Sequence, residues 1–241
     1  MKLTFAGGAA QAVLFDLDGT LLDTADDIAL ALNRTLGEQS LKGLDVAQVR
    51  LFIGRGVPTL IQRALRWLGQ SASTADASRL LERFHFHYHD LAKRGDIRTR
   101  VYPGVSSGLA ALKEMPLGIA VVTNKPRAAA LELLEHFQLD RWIDTLVGGD
   151  SGLAQKPHPD PLLHACGQLR ATPARTLMVG DSMTDVLAAR GAGMQVVCVP
   201  YGYNEGSDPR QLPCDGLIEN VAALPGLLAD DAPVPARVVP S

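Results

Sequence analysis

The feature that most restricts the fold of this chain is a series of short apolar runs that do not alternate with polar residues. They are Val13-Leu14-Phe15, Leu117 to Val122, Thr145 to Val147, Thr176 to Val179 and Gln195 to Val199. A strand with one wet face alternates in character, so a run apolar throughout must be covered on both faces. Between these runs, from residue 101 onward, lie stretches of helical periodicity. One follows Tyr102-Pro103-Gly104 and ends near Glu114; the others are Pro126 to His136, Pro161 to Leu169 and Thr184 to Arg190. Strand and helix in alternation imply a parallel sheet with helices on both sides. Gly216 to Ile218 adds an edge strand, and Val221 to Leu228 a last helix. The expected class is α/β, a doubly wound parallel sheet.

One interval breaks this grammar. From Asp23 to Asp96 the pattern is helical throughout. A first helix, Ala25 to Leu36, can be capped by Asp23 or Thr24, and a second runs from Asp45 to Ile53. Gly54-Arg55-Gly56 ends it, and Pro58 suits the first position of a third helix reaching Leu68. A fourth, Asp76 to Lys93, carries the stripe Leu80, Leu81, Phe84, Tyr88 and Leu91. The expected organisation is a core of residues 1–22 and 97–229, an all-helical inserted domain at 23–96, and a tail at 230–241 rich in Ala, Pro and Val. With 46% hydrophobic and 20% charged residues the chain reads as soluble. A net charge of −3 offers no basic field, so neither nucleic acid nor an anionic membrane is an expected partner. The cysteines, Cys166, Cys198 and Cys214, are odd in number and form no CxxC pair, which points to a reducing cytoplasmic compartment. There is no apolar run of about 18 residues, and the start is too short for a signal peptide. Monomer and homodimer both stay open.

In such sheets ligands bind outside the carboxyl ends of the strands. There the sequence places Asp16 and Asp18, Thr123-Asn124 and Gly180-Asp181, with Lys156 in a nearby loop. Asp16 and Asp18, two residues apart on extended chain, face the same side and repel each other unless a cation lies close. Three carboxylates suit Mg²⁺, which takes few protein oxygens, several waters and a phosphate oxygen. Lys156, the Thr123 hydroxyl and backbone N–H groups near Gly19 and Asn124 can hold the remaining phosphate oxygens. A carboxylate relieved of competing charge can attack phosphorus.

Taken in order, Asp16-Leu17-Asp18-Gly19-Thr20, Thr123-Asn124, Lys156-Pro157 and Gly180-Asp181-Ser182-Met183-Thr184-Asp185 resemble the four motifs of the haloacid dehalogenase-like hydrolases. The resemblance spans Ala12 to Leu228 and implies a phosphatase with Mg²⁺ as cofactor. It implies Asp16 as nucleophile and Asp18 as general acid and base, with the Asp18 backbone carbonyl and Asp181 joining Asp16 around the metal. Asp185 would act through a water or through Lys156, while Thr123 and Lys156 clamp the phosphoryl group. Dehalogenases and phosphonoacetaldehyde hydrolases of the superfamily lack the second carboxylate, so Asp18 argues for phosphoryl transfer. Thr20 stands where the β-phosphoglucomutase-like isomerases usually carry Val, which favours hydrolysis.

The insert then resembles the helical cap of that superfamily. Its GRGVPTLIQRAL segment, with TNKP, KPHPDPLL and YGYNEG, is similar to the bacterial phosphoglycolate phosphatases. That implies a small anionic phosphomonoester, 2-phosphoglycolate, with Arg55 as the expected partner of its carboxylate. The alternatives are a sugar-phosphate phosphatase acting on a compound such as N-acetylmuramic acid 6-phosphate, a phosphomutase, and a non-catalytic phosphate-sensing module. His85, His87 and His89 lack a recognised metal spacing and read as a solvated helix face. His158 and Asp160 read as turn and helix cap, Cys166 and Cys198 as buried and inert, and Trp67 and Trp142 as packing residues.

Overall fold

The computed structural model describes residue 3 and residues 5–71 and 73–229; the expected tail, 230–241, lies outside the described residues. The chain opens with strand β1 (Ala12–Phe15) and the short β2 (Leu22–Asp23), then four helices: α1 (Ala25–Gly37), α2 (Val46–Arg50), α3 (Gly56–Trp67) and α4 (Thr74–Arg94). It continues through β3 (Arg100–Val101), α5 (Val105–Lys113), β4 (Gly118–Val122), α6 (Arg127–His136), β5 (Thr145–Val147), α7 (Asp160–Leu169) and β6 (Thr176–Gly180). Last come α8 (Met183–Gly191), β7 (Gln195–Cys198), β8 (Gly216–Leu217) and α9 (Leu224–Ala229).

Six strands form one parallel sheet in the order β5-β4-β1-β6-β7-β8. The apolar runs are buried on both faces. Val13, Phe15, Ile119, Val121, Leu177 and Val179 enter one core with α5 and α6. Their neighbours Leu14, Ala120, Val122 and Met178 enter the other with α7 and α8. Winding runs outward from β1 through β4 to β5, then returns across β1 to β6. The reversal leaves the ends of β1, β4 and β6 side by side, where a crevice forms.

Helices α1 to α4 have their own apolar core, built from Ile28, Leu32, Leu36, Val49, Leu60, Ile61, Leu65 and Phe84 among others. Two crossings join it to the sheet, and they lie together: β2 and β3 pair antiparallel, Leu22 with Val101 and Asp23 with Arg100. This short ribbon has no counterpart in the sequence expectation, since two residues carry no periodicity. Asp27 of α1 reinforces it, accepting the backbone N–H groups of Arg98 and Thr99, each at 2.9 Å.

Three local expectations are corrected. The second helix stops at Arg50 and the chain turns from Leu51 to Gly54, while Asp45 and Gln48 close a capping box at its start. The third helix begins at Gly56, leaving Pro58 inside its first turn. Thr24 stands at the N-cap of α1 without capping it, because its hydroxyl is drawn to Asp18 at 2.7 Å. Trp67 is 54% exposed and touches only the edge of the helical core, its ring 5.9 Å from that of Phe52. No helix among the described residues is long and apolar enough to cross a membrane.

Candidate active site

Asp16 follows β1, and its backbone N–H still bonds Val179 O at 2.9 Å, so the sheet itself sets where its carboxylate sits. Lys156 reaches it from the loop before α7. The Lys156 ammonium lies 2.9 Å from Asp16 Oδ1 and 2.8 Å from Asp185 Oδ1, and all three side chains are buried. The other Asp185 oxygen accepts from the Ser182 hydroxyl at 2.8 Å and from the N–H groups of Ser182 and Asp181 at 3.2 and 3.3 Å. Asp185 is thereby fixed by its own helix N-terminus as well as by Lys156. Asp181 at the end of β6 is oriented by Thr20 Oγ1 at 3.2 Å and by the N–H of Tyr203 at 2.6 Å.

Oxygens of Asp16, Asp181 and Asp185 all lie within 4.8 Å of one another. Burial pushes the Asp16 carboxyl up to about 7 even though Lys156 pulls it down, with Asp185 and Asp18 adding to the rise. Burial, then the charges of Asp185 and Asp16, holds Asp181 well above the usual range. Lys156 thus pairs with two of three buried carboxylates, and the third, Asp181, has no cation in contact among the described residues. The donor set is oxygen only, without imidazole or thiolate, which fits a hard divalent cation.

Asp18 is held apart from this cluster. Its Oδ1 accepts from Thr24 Oγ1, and Lys125 Nζ lies 3.0 and 3.3 Å from its two oxygens. The two neighbouring aspartates therefore have different cations, Lys156 and Lys125. Lys125 is buried; burial alone would discharge it, but Asp18 and Tyr88 hold its pKa above the ordinary value. Sequence reading passed over Lys125, although it stands within TNKP directly after the strand-end Asn124.

Not every expected residue serves as its motif suggests. Thr123 is buried at the end of β4, its hydroxyl 3.2 Å from the N–H of Lys125. Asn124 spends its side-chain amide on two backbone carbonyls, Gly54 at 3.1 Å and Lys156 at 2.8 Å, tying the insert and the Lys156 loop to the sheet. The N–H of Gly19 bonds Leu22 O at 2.8 Å, so it is not open to a phosphate. Gly19 matters for space: at φ +91° its Cβ would fall 2.5 Å from Asp181 Oδ2. Arg55 is turned away, 46% exposed and paired through Nε with Glu205 at 2.7 Å.

Asp16 and Asp18 open into one cleft of about 60 Å³ between sheet and insert. Thr123, Asn124 and Lys125 line it from β4, Gly54 and Gly56 from the turn before α3, and Phe84, His85 and Tyr88 from α4. The histidine run scatters. His85 reaches the cleft, His87 pairs with Glu38 at 2.8 Å, and His89 lies 3.4 Å from Glu132 on α6.

Comparison with known proteins identifies the family. Residues 13–199 match the family model described as haloacid dehalogenase-like hydrolase. A plasmid phosphoglycolate phosphatase of Cupriavidus necator is 45% identical over 230 residues, covering 95% of this chain and 96% of that one. A phosphoglycolate phosphatase of Nitrosospira multiformis is 42% identical, covering 88% of this chain and 92% of its own. Among solved structures, a predicted phosphoglycolate phosphatase from Haemophilus somnus 129PT superposes with TM-score 0.83 at 33% identity, covering 89% and 96% of the two chains. The chain belongs to the haloacid dehalogenase-like hydrolases.

Proposed function

We propose that this chain is a phosphomonoesterase that hydrolyses 2-phosphoglycolate to glycolate and phosphate with Mg²⁺, residues 1–22 and 97–229 forming its core and residues 23–96 a cap. The observation that carries the reading is the meeting of Asp16, paired with Lys156, and Asp18, paired with Lys125, at one cleft beneath the insert. The names of the relatives, which match over nearly the whole chain, support the same substrate.

Asp16 Oδ attacks phosphorus as the bond from phosphorus to the ester oxygen breaks. The departing oxygen takes a proton from Asp18, which releases glycolate and leaves an aspartyl-phosphate. Asp18, now a carboxylate, removes a proton from water, whose oxygen attacks phosphorus and frees Asp16 with inorganic phosphate. Thr24 and Lys125 hold Asp18 on the side of the cleft where the ester oxygen lies. Lys156 and the Thr123 hydroxyl bind phosphoryl oxygens and balance the charge that develops on them. Asp16, Asp181 and the Asp18 backbone carbonyl would hold the cation, with Asp185 acting through Lys156. Once bound, the ion supplies the positive charge that lets one anion approach another.

Phosphate release measured across a panel of phosphomonoesters tests this. With Mg²⁺, 2-phosphoglycolate ranks first, EDTA abolishes turnover, and Asp16→Asn lowers kcat by about 10⁴-fold or more. If N-acetylmuramic acid 6-phosphate or another sugar phosphate ranked far above it, the substrate assignment would fall. Isomerisation of a sugar phosphate without phosphate release would replace the hydrolase reading with a mutase.

A further inference from the structure

One polar group on the cleft wall lacks a well-formed hydrogen bond among the described residues. Tyr88 of α4 buries its hydroxyl oxygen; the Lys125 ammonium lies beside it, but no well-formed hydrogen bond reaches it and no acceptor takes its proton. Buried hydroxyls are nearly always fully paired, and an ammonium can only donate, so the Tyr88 proton beside reacting groups points to a ligand that accepts it. The ring is well fixed, stacked on Phe84 with centroids 5.9 Å apart and planes 17° from parallel. The Lys125 ammonium lies 4.6 Å from its centroid. Burial raises the phenol's pKa, so at neutral pH the group is a proton donor. Around these two donors the wall is apolar, made by Ile28, Ile53, Val57, Leu60 and Ala129.

We propose that Tyr88 and Lys125 form the seat for the substrate's carboxylate, which makes Tyr88 a specificity-determining residue. This rests on the 2-phosphoglycolate reading above. Asp18 must touch the ester oxygen in order to protonate it, and in that substrate the carboxylate carbon lies two bonds from that oxygen. The carboxylate therefore falls within one hydrogen-bond length of groups adjoining Asp18, and Lys125 adjoins it at 3.0 Å. A carboxylate there accepts from the ammonium and from the Tyr88 hydroxyl together. An ester without the carboxylate leaves the hydroxyl proton without an acceptor, and a site selects strongly against a ligand that does so. Arg55, the guanidinium that sequence singles out for this duty, is held outside the cleft by Glu205.

Ethyl phosphate is the discriminating probe, since it replaces the carboxylate by a methyl group. The ratio of kcat/KM for 2-phosphoglycolate to that for ethyl phosphate is measured in the wild type and in Tyr88→Phe. Wild type prefers 2-phosphoglycolate, and the ratio falls about tenfold or more in the variant, chiefly through KM. A ratio kept within about twofold, with the preference of the wild type intact, overturns the seat and leaves the substrate assignment standing. A wild type without preference overturns both. Tyr88→Phe keeps the ring and costs the fold at most the contact with Lys125, so an unchanged Tm certifies its fold. Wild-type protein supplies a second measurement: glycolate inhibits ethyl phosphate turnover competitively and far better than ethanol does, and equal inhibition by the two refutes the seat.

Discussion

Asp16 and Asp18 are separated by one residue, yet Asp16 faces Lys156 and two further carboxylates while Asp18 faces Lys125 and a threonine. Identical side chains thus acquire different chemistry from their neighbours, one a nucleophile and the other a proton carrier under the proposed reaction. The cysteines offer a second case of environment deciding reactivity. Cys166 and Cys198 are buried, as expected, while Cys214 is partly open. A hydrogen bond from Cys198 pulls the Cys214 thiol down to about 6, and the same contact, then burial, pushes Cys198 up. Burial also raises Cys166. Since Cys214 is largely thiolate above pH 6, its alkylation rate has nearly levelled off at pH 7, whereas an ordinary thiol reacts about tenfold faster per unit of pH there. Peptide mapping after brief iodoacetamide treatment at pH 7 should find Cys214 labelled well before Cys166 and Cys198. A Cys214 rate still climbing steeply from pH 7 to 8 would refute the depressed thiol.

At the scale of elements, the insert depends on the place where two chain crossings meet. The β2–β3 ribbon is only two residues long on each side, too short to persist without help. Asp27, 2% exposed, supplies it by tying the first turn of α1 to the N–H groups of Arg98 and Thr99. Asp27→Ala would leave these donors unsatisfied beneath the insert and cost about 3 kcal/mol of unfolding free energy. Urea denaturation followed by circular dichroism measures it; a loss below about 1 kcal/mol would mean that water replaces the carboxylate. Helix α4 has a double role, packing on α1 through its apolar stripe while presenting Phe84, His85 and Tyr88 to the cleft.

For the molecule as a whole, the loop after β7 joins the sheet to the insert. Tyr203 donates its N–H to Asp181, its hydroxyl meets Thr24 N and Asp23, and the Arg50 guanidinium lies 5.1 Å from its ring centroid. Two residues later Glu205 grips Arg55 and Arg63 of the insert at 2.7 and 3.0 Å. Asn204 and Glu205 both take left-handed backbone angles, φ 37° and 50°, a conformation that costs non-glycine residues about 1 kcal/mol each. These contacts are what hold the loop there. If the insert closes as a cap, Glu205→Gln loosens the closed form. The pairs are partly solvated, so the loss is near 1 kcal/mol and KM for the preferred substrate rises about two- to fivefold, with kcat changed less. Steady-state kinetics decides it, and an unaltered KM would show that closure does not rest on this grip.

Much of this was legible in the residues alone. Short apolar runs without alternation, set between helical stretches, read as strands covered on both faces, and the sheet bears this out, while its order β5-β4-β1-β6-β7-β8 was not written in them. Strand ends are rigid, so Asp16, Thr123 and Asp181 reach the same crevice wherever the intervening chain wanders. Loops and helix faces carry no such guarantee. Arg55 stood beside the right glycines but swung to Glu205, since a long charged side chain follows the nearest counter-charge across the fold. Lys125 and Tyr88 met at Asp18 only because α4 packs over the end of β4. The sequence by itself determined the strands of the sheet and which polar residues stand at their ends. Tertiary structure alone decided which cations those carboxylates face and what closes the cleft, because charge pairing and burial depend on distances between residues that the chain order does not encode.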